Sequence, residues 1–124
     1  MTQGSSKLKL TAAVAVVLTA TTIHADANQT RIGFETVNGI KPFYREAGDP
    51  ESPSIVMLHG FPSSSHQYRN LIRSLSDAYH VVAPDYPGFG SSDAPSPDSF
   101  SNTYDAHADH VDTFIEQRGI TEYA

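Results

Sequence analysis

A chain of 124 residues with 39% hydrophobic and 18% charged side chains has room for one small domain with a modest core. Its formal net charge of -6 argues against nucleic acid and anionic membrane surfaces as electrostatic partners, and serves mainly solubility. The absence of cysteine excludes disulfides and thiolate metal cages, so cysteine usage says nothing about compartment.

In chain order, the first feature is a leader. Lys7 and Lys9 precede an apolar run from Leu10 to Leu18, and no acidic residue comes before Asp26. This is the charge order of a secretory signal, and Ala25-Asp26-Ala27 supplies the small residues that cleavage requires, after Ala27 by preference or else after Ala25. Residues 1–27 are therefore expected to be a signal peptide and 28–124 an exported domain, periplasmic or secreted. The run falls short of the ~20 residues of a membrane helix, so no stable span is expected.

Behind the leader, Arg31 to Val37 and Ile40 to Glu46 flank Asn38-Gly39, a dipeptide that tolerates the positive φ angles of a tight turn; the pattern predicts a β-hairpin. After a polar loop from Gly48 to Pro53, the apolar run Ser54 to His59 predicts a strand covered on both faces. Apolar residues at Tyr68, Leu71, Ile72 and Leu75 predict a helix over Ser64 to Ser76, and Tyr79 to Pro84 reads as another buried strand. Pro95-Ser96-Pro97 is a connecting loop. A second helix is expected from Tyr104 to Gln117, with Tyr104, Ala108, Val111, Phe114 and Ile115 on one face and Gly119 ending it. The fold class is thus α/β, a β-hairpin followed by strand-helix-strand-helix, and incomplete. Two helices do not cover both faces of a wide sheet, so Ile55 to Leu58 and Val81 to Ala83 are expected to stay partly uncovered. The strand Tyr79 to Pro84 is expected to leave an unguarded edge, which invites self-association.

Two loops carry the chemistry. His59-Gly60-Phe61-Pro62 follows the first buried strand, and Asp85-Tyr86-Pro87-Gly88-Phe89-Gly90-Ser91-Ser92 follows the second; both sit where open α/β sheets place their ligand crevices. Gly88-Phe89-Gly90 lacks the third glycine of a dinucleotide fingerprint, which would stand at Asp93. His107, Asp109, His110 and Asp112 could compose a metal site on the last helix. The preferred reading is one half-buried histidine, His107, beside a solvated acidic face.

Taken in order, Ile55 to Ser65 and Asp85 to Ser92, with the hairpin before and the helix after, resemble the α/β-hydrolase family, most closely its epoxide hydrolase and haloalkane dehalogenase branch. The resemblance runs from about Arg31 to Ala124 and covers the first part of the family's domain. It implies a carboxylate nucleophile, a histidine that activates water, and backbone N–H groups that hold an oxyanion. By resemblance, the Phe61 N–H is one such donor, while His59, Gly60, Pro62, Asp85, Gly88 and Gly90 support the loops. A cis peptide before Pro62 is common in the family. Dehalogenases commonly carry asparagine where Phe61 stands, which favours an epoxide hydrolase-like relative, although fluoroacetate-type dehalogenases share the phenylalanine.

No Gly-x-Ser-x-Gly occurs, and the family's nucleophile follows a strand that Tyr123-Ala124 would just be entering. The serines Ser63, Ser64, Ser65, Ser91 and Ser92 read as loop or cap residues, and no cofactor or metal is implied. The expectation is a truncated hydrolase whose intact relative acts on a small apolar epoxide, haloalkane or ester through a covalent intermediate. The alternative is a non-catalytic binding or interaction module, or an inactive remnant.

Overall fold

The computed structural model describes Asp26 and residues 28–124; apart from Asp26, the expected leader lies outside the described residues. Asn38 and Gly39 both adopt positive φ, 51° and 82°, the combination whose twist matches a two-residue hairpin. Strand β1 (Arg31–Phe34) runs antiparallel to β2 (Phe43–Ala47), with Arg31 opposite Glu46 and Phe34 opposite Phe43. The same register continues to Val37 and Ile40, which exchange N–H···O bonds of 2.8 and 3.0 Å. Both strands are shorter than expected, because Pro42 has no N–H to give the ladder.

Strand β3 (Ser54–Val56) pairs in parallel with β4 (His80–Pro84), and β2 pairs antiparallel with the other side of β4, so the sheet order is β1-β2-β4-β3. This corrects the expected open edge at Tyr79 to Pro84. The hairpin folds back to one side of β4 and the crossover places β3 on the other, which makes β4 central and buries all five of its residues. Val81, Val82 and Ala83 are completely covered, against expectation, while Leu58 remains 44% exposed, in line with it. Beyond β3, the Val56 N–H donates to Ala124 O at 3.0 Å and the Ala124 N–H to Ser54 O at 3.1 Å, so residues 123–124 open a further strand position.

The two faces of β4 follow the period-two alternation of a strand. Helix α2 (Tyr104–Gln117) covers one: Val111, Phe114, Ile115 and Ile120 pack with Val82 and Val37. Helix α1 (Arg69–Leu75) covers the other, where Ile72 meets Val81, Ala83, Ala47 and Met57. Full burial of side chains such as Phe114 and Ile72 stabilises the fold by about 1.5–3 kcal/mol each. The helix expected over Ser64 to Ser76 is in fact a 3₁₀ turn, Ser65–Tyr68, followed by only seven α residues. Its buried face is centred on Ile72, leaving Leu71 47% exposed. Helix α2 has the bounds expected from sequence. Thr103 Oγ1 accepts the Ala106 N–H at 3.2 Å, and Gly119, at φ 70°, closes the other end. There the Gly119 N–H donates to Glu116 O and the Ile120 N–H to Ile115 O, the reciprocal pair of a glycine-terminated helix. Tyr104, assigned from sequence to the buried face, is 97% exposed, and Ala108 is exposed too, because the first turns of α2 project beyond the sheet. No described helix is long and apolar enough to cross a membrane.

A buried ionic network fastens α2 to the sheet. Glu46 accepts from His80 Nε2 and from Arg118, each at 2.6 Å, and Arg118 also donates to the Tyr44 hydroxyl at 3.0 Å. Burial by itself would raise the Glu46 pKa; the bond from His80 and the charge and bond of Arg118 override it and hold this carboxyl below its ordinary value.

Candidate functional site

The loops after β3 and β4 meet the first turns of α2 around a cleft of about 1320 Å³, whose apolar wall includes Leu58, Phe61, Phe89, Tyr104 and Tyr123. It opens at the carboxyl ends of the two parallel strands, where backbone N–H groups leave the ladder and face outward.

His59, 4% exposed, ties the two loops together. Its Nε2 accepts the Tyr86 N–H at 3.1 Å, which leaves the proton on Nδ1, 2.9 Å from Gly60 O. With both ring nitrogens committed to backbone, and edge-on contacts to Tyr86 and Phe89, His59 has no nitrogen left to take a substrate proton. Asp85, 2% exposed, makes the second tie. Its Oδ1 accepts the Ser65 N–H at 2.6 Å and its Oδ2 the Ser91 N–H at 3.0 Å, while its own carbonyl accepts from Ser92 Oγ at 2.7 Å. Gly90, at φ 52°, passes so close that a Cβ would overlap the Asp85 carboxylate. Gly88, at φ 83°, has open space where a side chain would stand, and its N–H donates to Asp93 O at 2.8 Å.

Gly60 and Phe61 line the cleft between these ties. A Cβ at Gly60 would meet nothing, so its bare backbone stays open to the cleft. The Phe61–Pro62 bond is cis, the Phe61 ring is 85% exposed, and its N–H has no hydrogen-bond partner among the described residues. Three of the serines are occupied with loop structure: Ser64 Oγ caps the 3₁₀ turn, Ser63 Oγ donates to Gln67, and Ser92 Oγ accepts the Phe43 N–H at 2.8 Å; the Ser65 hydroxyl is buried with no partner among the described residues.

Both histidines of α2 are drawn inward, where sequence reasoning chose one. His107 borders the cleft against Tyr86, Phe89 and Phe100, and His110 lies deeper, 4% exposed, beside Phe100. Burial lowers the pKa of both, with His59 adding to the effect at His107 and His107 at His110. Asp109 and Asp112 are exposed, and among the described residues no group of three metal-binding side chains converges.

Sequence reasoning missed one constellation. Ser54 Oγ lies 3.1 Å from His80 Nδ1, and His80 Nε2 lies 2.6 Å from Glu46, the residue types of a serine–histidine–acid triad. It stands at the opposite ends of the strands from the cleft, with His80 4% exposed and Glu46 shared with Arg118, so it is part of the ionic network of the core. No local signal exposes it, because Glu46 and His80 are 34 residues apart.

Comparison with known proteins agrees with this geometry. The sequence model for the alpha/beta hydrolase fold matches residues 53–124. The chain is 44% identical over 85 residues to a haloalkane dehalogenase of Bradyrhizobium diazoefficiens, covering 68% of this chain and 26% of that protein. It is 41% identical over 71 residues to epoxide hydrolase A of Mycobacterium tuberculosis, covering 56% and 21%. Among solved structures, a loop variant of a haloalkane dehalogenase from Bradyrhizobium elkanii superposes with a TM-score of 0.71 at 32% identity, covering 77% of this chain and 30% of that one. The chain thus spans less than a third of the length of each of these proteins. A central β4 buried between two helices, two loops locked by His59 and Asp85, and a family match over more than half its length together place the chain in the α/β-hydrolase fold family.

Proposed function

We propose that residues 28–124 form the oxyanion side of a site that hydrolyses a small apolar molecule, an epoxide, haloalkane or ester, through a covalent intermediate. The observation that carries this reading is the Phe61 N–H, unpartnered among the described residues and carried on a loop whose neighbours His59 and Asp85 are fixed by buried hydrogen bonds. A donor held this way costs little reorganisation when negative charge develops on a bound oxygen or halide. The apolar wall of the cleft supports an apolar substrate. His59, Gly60, Pro62, Asp85, Gly88 and Gly90 act as positioning residues for that loop. Phe61 favours epoxide over haloalkane, and relatives of both kinds are similar to the chain at 44% and 41% identity. None of residues 28–124 is assigned the part of nucleophile, acid or water-activating histidine.

The test is a titration of the 124-residue chain with a short-chain epoxide and a bromoalkane, followed by amide NMR and by product release. Perturbation of the Gly60, Phe61 and Phe89 amides without turnover above a buffer blank is expected. Saturable turnover abolished by Ser91→Ala would make a local serine the nucleophile and overturn the assignment. We also propose export, on the strength of Lys7, Lys9, the apolar run and Ala25-Asp26-Ala27. Mass measurement of extracytoplasmic protein should give a start at Asn28 or Asp26, and recovery of full-length protein beginning at Met1 or Thr2 in the cytosol would refute it.

A further inference from the structure

One edge of the described sheet is β1, a terminal strand in the order β1-β2-β4-β3. Its ladder parity can be read from the hairpin. Val37 and Ile40 exchange hydrogen bonds and the Glu35 N–H donates to Pro42 O, so alternate residues 31, 33, 35 and 37 direct their backbone groups toward β2. The N–H and C=O of Ile32 and Phe34 therefore point away from the sheet, and among the described residues they have no partner. The two side chains are 65% and 59% exposed, on a strand with no proline and no inward-pointing charge to guard it.

We propose that β1 pairs with β1 of a second copy of this chain, antiparallel about a two-fold axis at Gly33, extending the sheet across both molecules. In this register Ile32 stands opposite Phe34 of the other copy, with both free N–H and both free C=O groups exchanged twice over. Arg31 then stands opposite Glu35, at the non-hydrogen-bonded position where side chains approach most closely, so each copy offers a positive and a negative group to its mate. Arg31 is 41% and Glu35 34% exposed in the side chain, and their contacts within the chain are long: Arg31 to Glu46 at 3.9 Å and to Gly48 O at 3.4 Å, and Glu35 to Arg118 at 3.7 Å. At the axis Gly33 itself brings no side chain. Gly33 cannot carry a Cβ, because the Tyr44 ring fills that position, with its hydroxyl 2.6 Å from where the Cβ would lie. A surface whose apolar and charged residues are complementary to themselves under two-fold rotation fits a second copy better than an unrelated strand. The short strand makes the contact smaller than the interfaces of permanent dimers, so the association is reversible and concentration-dependent.

The test is sedimentation velocity of the full chain over a range of concentrations, with two double variants at these exposed positions, Ile32→Lys with Phe34→Lys and Ile32→Glu with Phe34→Glu. The parent chain should pass from monomer to dimer as concentration rises, each variant should remain monomeric, and an equimolar mixture of the two should dimerise and dissociate with added salt. Amide exchange at Ile32 and Phe34 in the parent should slow as the dimer forms. A parent chain that stays monomeric, a dimer that survives in either variant, or assembly beyond two copies would overturn the proposal. The parent measurements decide the question even if a variant does not fold.

Discussion

Gly88 and Gly90 share one loop and both hold positive φ, yet replacement by alanine should affect them very differently. The backbone penalty is common to both: a left-handed conformation costs a residue with a Cβ roughly 1–2 kcal/mol. At Gly88 nothing lies within 4 Å of the new methyl group, so the cost ends there. At Gly90 the methyl falls on the Asp85 carboxylate and 2.8 Å from Ser64 Cβ. Displacing the carboxylate frees the N–H groups of the buried Ser65 and the exposed Ser91; the buried donor left without a partner costs about 1–3 kcal/mol, while water can serve the other. Gly90→Ala should therefore destabilise by about 2–5 kcal/mol against about 1–2 for Gly88→Ala. In a domain this small each kcal/mol lowers the melting temperature by about 4–8 °C. Gly88→Ala should still melt cooperatively, whereas Gly90→Ala should lose most or all of its transition. Circular dichroism melts of both variants, with amide exchange at Ser65, are the assay. Equal melting shifts, or full protection of the Ser65 amide in Gly90→Ala, would show that Asp85 does not fasten the two loops.

Three further outcomes follow. Asp85→Asn preserves shape but turns an amide NH₂ toward one of the two donors, so urea unfolding should show a loss of about 1–3 kcal/mol, less than for Gly90→Ala. Phe114→Ala, at a fully buried position against the Tyr44 ring, should cost about 3–5 kcal/mol and abolish near-ultraviolet dichroism, while Tyr104→Ala at a 97% exposed position should leave the melt unchanged. Stability should fall with acidification in two windows. His107 and His110 have folded pKa values below 6.5, so the unfolded chain takes up their protons first and stability declines as pH drops through and below 6.5. Glu46, held below its ordinary 4.5, contributes stability that is present above that pH and lost as pH falls through its lower folded value. Urea midpoints measured against pH should show a smaller upper limb in His110→Asn, with His107 carrying the remainder, and an unchanged profile in that variant would refute the assignment to His110.

Local stereochemistry was legible in the sequence. Asn38-Gly39 announced a turn that needs two positive φ angles, and Gly119 marked the end of α2 because a glycine cap acts within a single turn. The apolar runs identified β3 and β4, and with them the two loops that border the cleft. Order and burial belong to the tertiary structure. Whether β4 lay at an edge or at the centre depended on β2 returning to its other side, a pairing between segments that no local pattern connects. Helical spacing placed Tyr104 and Leu71 on apolar faces, but the face that meets the sheet is set by packing: in α1 it is centred on Ile72, and in α2 on Val111, Phe114 and Ile115. Glu46, His80 and Arg118 carry no joint signal in the sequence, since Glu46 meets partners 34 and 72 residues away; only the folded chain brings them out of water together, where each must satisfy the others.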